Sequence, residues 1–173
     1  MIDVNKYLGK WYELAHYPSW FQRNDNYNTT AEYSLNENGT IMVKNTTISN
    51  GKKVESFGTA RRLSHDDFRV DFSLDEVKKL TKTEVFRDVP GFMNTPGVEG
   101  TRREKEANYV VDKVYMDQDG NYMFSIVTDP RRESLYILSR QKHPSLHSFN
   151  QIMKYVVTNY DRDRLVQTGQ YDE

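Results

Sequence analysis

The sequence contains no cysteine among its 173 residues. Disulfides, thiolate metal centres and a thiol nucleophile are therefore excluded. An excess of either charge is also missing: 24 basic side chains stand against 25 acidic ones, a formal net charge of -1. No basic face follows from that balance, so nucleic acid is not expected as a partner. No apolar run reaches the roughly 18 residues of a spanning helix. The opening MIDVNKY has no apolar core and does not read as a secretory leader. The chain as written is expected in the cytosol, or outside it if a leader has been removed. Tryptophan is scarce, and both Trp11 and Trp20 fall within one stretch, YLGKWYELAHYPSWF, close to the start where chains usually fray.

Catalytic signatures are missing too. There is no G-x-S-x-G, P-loop or H-E-x-x-H pattern. The four histidines are His16, His65, His143 and His147. His143 and His147 are separated by Pro144, which breaks the shared helix face a metal pair needs, and no carboxylate-rich motif accompanies them. Asp67, Asp71 and Asp75 cluster without a hydrolytic partner and read as solvated charge. No catalytic residue, metal or cofactor is expected. Three N-x-[ST] sequons, at Asn28, Asn38 and Asn45, matter only in a eukaryotic secretory pathway.

What is abundant is aromatic surface: 13% of the residues, 12 of them tyrosine, in a chain whose mean hydropathy is -0.84. Tyrosine favours strands and amphipathic surfaces. The length argues for a single domain over 1–173, able to bury about 70% of its unfolded surface. Strand-like runs follow one another at short spacing: 10–18, 27–35, 40–49, 54–63, 68–74, 107–117, 121–129 and 134–140. Asn50-Gly51 is the strongest hairpin signal among them. Ser145 then caps a helix in which Leu146, Phe149, Ile152, Met153, Val156 and Val157 recur at 3–4 residue spacing to about Tyr160. A short ninth strand follows at 164–169. Eight sequential antiparallel strands close most simply as an all-β up-and-down barrel, with the helix packed outside and room for one small ligand. Two helices after the first strand, the mark of the fatty-acid-binding-protein fold, are not readable. The segment from about 75 to 106, between strands five and six, breaks the rhythm and reads as a long insertion.

At this point the residues resemble a known family. Gly9-Lys10-Trp11 on the first strand resembles the G-x-W signature of the lipocalins. Thr128-Asp129-Pro130 resembles their T-D-x signature, and Arg140, closing LYILSR, resembles their lone third-motif arginine. The wording is most similar to the bacterial lipocalin and apolipoprotein D branch. The resemblance implies that Trp11 plugs the closed end of the barrel, that Arg140 lies over its indole face, and that Gly9 permits the close crossing. These residues, with Thr128 and Asp129, are then structural.

Ligand contacts are sought on inward faces. If Trp11 points inward, strict alternation carries Glu13 and Ala15 with it. Strand two offers Thr29, Ala31 and Tyr33; strand four offers Phe57 with Thr59, or Ser56 with Gly58. Strand six offers Tyr109, Val111 and Lys113, or Val110, Asp112 and Val114. Strand seven offers Tyr122, Phe124 and Ile126, and strand eight Tyr136. The candidate contacts are Glu13, Ala31, Tyr33, Phe57, Tyr109, Tyr122, Phe124 and Tyr136; a one-residue slip of register reverses any of them. Connections one and five leave the same end of such a barrel, so Trp20, Phe21, Phe86, Phe92 and Met93 are candidate mouth or lid residues.

The expected function is non-enzymatic binding, as carrier or sequestrant, of a small hydrophobic or amphipathic ligand. The resemblance points to the fatty acid or lysophospholipid class. Two other readings stay open: a protein-interaction module using the insertion, and a lipid-modifying isomerase or lipase-like barrel. Membrane-surface or protein contact through the mouth loops, and a homodimer, complete the expected partners.

Overall fold

The computed structural model describes residues 1–18, 25–72 and 106–172. Within them the order is α1 (Val4–Tyr7), β1 (Gly9–His16), β2 (Tyr27–Leu35), β3 (Ile41–Ser49), β4 (Lys52–Ser64), β5 (Asp67–Phe72), β6 (Tyr109–Met116), β7 (Tyr122–Thr128), β8 (Leu135–Ser139), α2 (Leu146–Asn159) and β9 (Val166–Gln167). Strands β2 to β8 pair antiparallel in sequence order, and β1 joins β8 to β2, which closes an eight-stranded barrel. The expected strands and helix are present, with β9 shorter than anticipated because a 3-10 turn at Arg162–Arg164 precedes it. The expected insertion, apart from Glu106, lies outside the described residues. So do Trp20, Phe21, Phe86, Phe92 and Met93.

The hairpins follow from local chemistry. Asn50 and Gly51 both take positive φ, 52° and 74°, which is what the tight β3–β4 turn demands. Between β6 and β7 the Asp117 carboxylate accepts from the backbone N–H groups of Asp119 and Asn121. Outside the barrel, Ser145 caps α2 by accepting from the Ser148 N–H, as its position before the apolar periodicity foretold. The apolar stripe of α2, with Ile152 and Val156 fully covered, packs on Leu14, Ala15, Phe124, Ile126, Leu135 and Ile137. This outer cluster is distinct from the one that fills the barrel.

Strand β1 is shared unequally. Its first half, Gly9–Tyr12, pairs with Tyr33–Thr30 of β2. Its second half, Ala15 and His16, pairs on that edge with Gln167 and Val166 of β9. The C-terminal segment then continues between β1 and β2. Gly169 accepts from the Asn28 N–H at 2.8 Å, and the Gln170 side-chain amide donates to the carbonyls of Glu13 and Thr29 at 2.8 and 2.9 Å. The tail thus acts as a stave in the barrel wall.

Helix α1 was not anticipated. Four residues are too few for periodicity to show, and its cap, Asp3, is an inconspicuous residue near the start. It carries the chain across the closed end. There the Ile2 N–H donates to Asp66 at 2.6 Å, the Ile2 carbonyl accepts from Arg62 at 2.6 Å, and the Asp3 N–H donates to the Tyr122 hydroxyl at 2.8 Å. The opposite seam is thin. β5 and β6 pair only at Asp67↔Val110 and Phe68↔Tyr109, and the Asn108 side-chain amide extends the ladder by bonding both the N–H and the carbonyl of Val70.

Candidate functional site: the barrel interior

The floor is built from the first strand and Arg140, the residue that follows β8. Trp11 is wholly buried, and the Arg140 guanidinium lies over its ring at 3.8 Å from the centroid. That geometry contributes a cation–π term of about 0.5–2 kcal/mol. Arg140 donates to the carbonyls of Lys6, Tyr7, Leu8 and Lys10 at 2.8–3.1 Å, and more loosely to that of Tyr122 at 3.3 Å. The Trp11 indole N–H donates to the Tyr7 carbonyl at 2.9 Å. Gly9 has φ 101°, and a Cβ there would stand 3.3 Å from an Arg140 nitrogen. Glycine is what lets the chain pass under the guanidinium.

Above the tryptophan lies a layer of tyrosines. The Tyr7 hydroxyl is 2.7 Å from both the Tyr109 hydroxyl and the Ser125 hydroxyl, and Tyr33 reaches Tyr109 at 2.9 Å. Tyr7 stacks obliquely on Trp11 at 5.1 Å and on Tyr33 at 5.5 Å. An apolar cavity of about 20 Å³ lies at this end, bounded by Ile2, Val4, Tyr7, Tyr33, Phe68 and Tyr109 among others. That is room for about one water molecule, not for a ligand.

Burial dominates the acidity of these phenols. It pushes Tyr7 from 10.0 up to about 12, against the weaker opposing pull of its hydrogen bonds to Ser125 and Tyr109 and of Arg140. Burial pushes Tyr33, Tyr109 and Tyr136 up as well; for Tyr136 the carboxylates of Glu13 and Asp129 add to it. Each phenol is neutral in the folded barrel at a pH where the unfolded chain has begun to ionise. Their stabilisation is complete below pH 10 and is lost as pH rises towards the folded values. For Tyr7 alone, two pK units correspond to about 3 kcal/mol lost between pH 10.0 and about 12. Cooperative alkaline unfolding in that window is expected, with tyrosinate absorbance rising in step with loss of the β-sheet circular dichroism. Phenols that titrate near pH 10 without unfolding would contradict it.

Towards the open end the inner faces change character. On β3 the inner face runs Ile41, Val43, Asn45, Thr47, Ser49 from the closed end outwards. Ser56 of β4 stands opposite Asn45, and Thr29 of β2 is 2.7 Å from Thr47. On β1, Glu13 and His16 are almost fully buried at 4% and 0% exposure. The Thr168 hydroxyl of the C-terminal stave donates to Glu13 Oε2 at 2.6 Å, and His16 Nδ1 lies 3.0 Å from Thr168 Oγ1 and 3.2 Å from Glu13 Oε2. Across from this polar wall, Val70, Val111, Val127 and Leu138 keep the other side apolar.

The structure brings Glu13, Ala31, Tyr33, Tyr109 and Tyr136 to the interior, but at different depths. Ala31 pairs with Trp11 near the floor, and Tyr33 and Tyr109 belong to the tyrosine layer. Tyr136 pairs with His16 and packs against the inner cluster, with no hydrogen-bond partner for its hydroxyl among the described residues. Tyr122 faces inward at the floor, where it holds the Asp3 N–H. Two orientations are corrected. Phe57 pairs with Lys44, whose amine lies between Glu32 and Glu55 on the barrel exterior, so Phe57 faces outward. Phe124 sits in the outer cluster under α2, because the pairing shift between Tyr115 and Met116 inserts Met123 and reverses the faces after Tyr122. A similar shift between Glu13 and Ala15 turns Ala15 outward and brings in His16 instead. Thr128 and Asp129 lie at the open end, where Thr128 donates to the Ser134 carbonyl and Asp129 accepts from the Arg131 and Ser134 N–H groups. They shape the β7–β8 turn and take no part in the floor. Tyr7, His16, Ser125 and Thr168 were not singled out from the sequence as lining residues.

With this geometry in place, similarity to known proteins can be placed on it. A family model described as a lipocalin-like domain matches residues 2–87. The chain is 35% identical over 172 residues to temperature-induced lipocalin-1 of Arabidopsis thaliana, covering 99% of this chain and 81% of that protein. It is 29% identical over 139 residues to the outer membrane lipoprotein Blc of Vibrio cholerae, covering 80% and 65%. Among solved structures, the cockroach major allergen Per a 4 has the same fold, with a TM-score of 0.65 and 19% identity over 98% of this chain and 89% of that one. A relationship that runs over 99% of this chain, barrel closure and the Gly9–Trp11–Arg140 floor converge: the chain belongs to the lipocalin family, whose barrels take up small hydrophobic molecules.

Proposed function

We propose that the barrel carries or sequesters a single-chain amphipathic lipid of the fatty acid or lysophospholipid class. The observation that carries this reading is the inner face of β3, apolar at Ile41 and Val43 and polar from Asn45 through Thr47 to Ser49. An acyl chain entering tail-first leaves water along the valine wall, at roughly 25 cal/mol per Å² of apolar surface buried. It stops at the tyrosine layer, where the apolar cavity bounded by Tyr7, Tyr33 and Tyr109 has a volume of only about 20 Å³. The head stays among the hydroxyl, amide and imidazole groups nearer the open end. Binding of this kind needs no chemistry from the protein.

The test is displacement of an uncharged dye, Nile red, by palmitate and by lysophosphatidylcholine, together with native mass spectrometry of the purified protein. One lipid per barrel and saturable displacement are expected. No adduct and no displacement by either lipid would reject the reading.

A further inference from the structure

Polar side-chain atoms that are buried without a partner are few in folded proteins, and each calls for an explanation. Among the described residues they occur on His16, Asn26, Ser49, Gln170 and Arg69. Four of the five belong to one place. His16 ends β1 and Ser49 ends β3 at the open end, Asn26 immediately precedes β2 there, and Gln170 is held against Glu13 and Thr29 on the same side.

His16 carries the most information, because its tautomer is set by its neighbours. Thr168 spends its hydroxyl proton on Glu13 Oε2, so its oxygen is left to accept. His16 Nδ1 faces that oxygen at 3.0 Å and Glu13 Oε2 at 3.2 Å, both acceptors. Nδ1 therefore holds the proton, and in the neutral ring Nε2 presents a lone pair. That nitrogen is buried and has no hydrogen-bond partner. The ring lies on the inner face, since its cross-strand partner Tyr136 packs on the interior cluster.

We infer that His16 Nε2, oriented by Glu13 and Thr168, is the head-group acceptor of the lipid site, and that it selects a neutral hydroxyl-bearing head over a carboxylate. This rests on the proposed binding of a single-chain amphipathic lipid and moves the preferred head from a carboxylate to a neutral hydroxyl. A hydroxyl donates to the lone pair and relieves a buried orphan. A carboxylate has no proton to offer and would set negative charge against that lone pair. The matching class is a monoacylglycerol or long-chain alcohol.

The experiment compares 1-monopalmitoylglycerol, hexadecanol and palmitate as displacers of Nile red from the wild-type protein and from His16→Leu and His16→Gln. The wild type is expected to prefer monopalmitoylglycerol to palmitate by about tenfold, the scale of one well-made hydrogen bond. His16→Leu should weaken monopalmitoylglycerol more than palmitate, so that the preference is lost, and His16→Gln, which keeps an acceptor, should recover part of it. Equal affinities in the wild type, or a loss in His16→Leu that is the same for all three lipids, overturns the inference while leaving lipid binding intact. Failure of all three lipids, and of lysophosphatidylcholine, to displace the dye overturns both. Should the variants not fold, nitrogen NMR of the wild type decides: the Nε2 resonance moves on adding monopalmitoylglycerol and not on adding palmitate. A resonance indifferent to the alcohol head rejects the assignment.

Discussion

Replacing Arg140 with alanine is expected to lower the unfolding free energy by about 3–4 kcal/mol in urea titration, with the lysine variant recovering less than half. The side chain makes a guanidinium–indole stack at 3.8 Å and holds four carbonyls of the segment from Lys6 to Lys10. Charge-assisted hydrogen bonds contribute about 1.5–3 kcal/mol each when taken singly. Four bonds from one group are not additive, and the exposed ones are replaced in part by water, so the sum is discounted heavily. Lysine keeps the charge but has neither the planar face for Trp11 nor the fork that reaches several carbonyls at once. A loss below about 1 kcal/mol would mean that the floor is held by the burial of Trp11 and Tyr7 alone.

Deleting residues 166–173 is expected to destabilise the barrel by about 3–5 kcal/mol, the range seen when a buried charge, here the Glu13 carboxylate, loses a partner. The tail supplies the Thr168 hydroxyl to Glu13, the Thr168 N–H to the Leu14 carbonyl, the Gly169 carbonyl to Asn28 and the Gln170 amide to both Glu13 and Thr29. Without it Glu13 and His16 lose their covering wall, and the upper edges of β1 and β2 are left unpaired. The measurement is the urea midpoint of the truncated chain beside that of Gln170→Ala, which removes only the amide and should shift far less. An unchanged midpoint for the truncation would show the tail to be an ornament on a self-sufficient barrel.

How much of this was written legibly in the sequence differs by level. The strands were readable because alternating residues and Asn-Gly-type turns are local properties. The helix was readable because Ser145 and the stripe through Ile152 and Val156 repeat at helical spacing. The Gly9, Trp11 and Arg140 floor was readable as a motif. The inward faces were not, and the reason is specific. A single extra residue, such as Leu14 or Met123, reverses every side chain beyond it and leaves the composition of the strand unchanged. So His16 replaced Ala15 inside, and Phe124 moved under the helix. On β4 alternation alone leaves Phe57 and Ser56 equally placed to face inward, and only the pairing of Phe57 with Lys44 shows the solvent side. Thr168 and Tyr7 were hidden for another reason. Their roles come from segments that complete the barrel from its two ends, and neither segment has a pattern long enough to announce itself.

The joining of β1 to β8 and β9 has a consequence for synthesis. Trp11 is synthesised long before its cover: the guanidinium that lies over it is 130 positions beyond Lys10, and the hydroxyl that meets Glu13 is 155 positions away. At about 5–20 residues per second, the nascent chain spends several seconds or more with β1 made and β8 and β9 not yet translated. Hairpins such as β3–β4 can form in that time, whereas ring closure cannot, because loop closure must precede the contacts that reward it. The barrel therefore closes only after β8 and β9 have been made, and until then a growing chain presents the free edge of β1 to whatever chaperone or neighbouring nascent chain it meets.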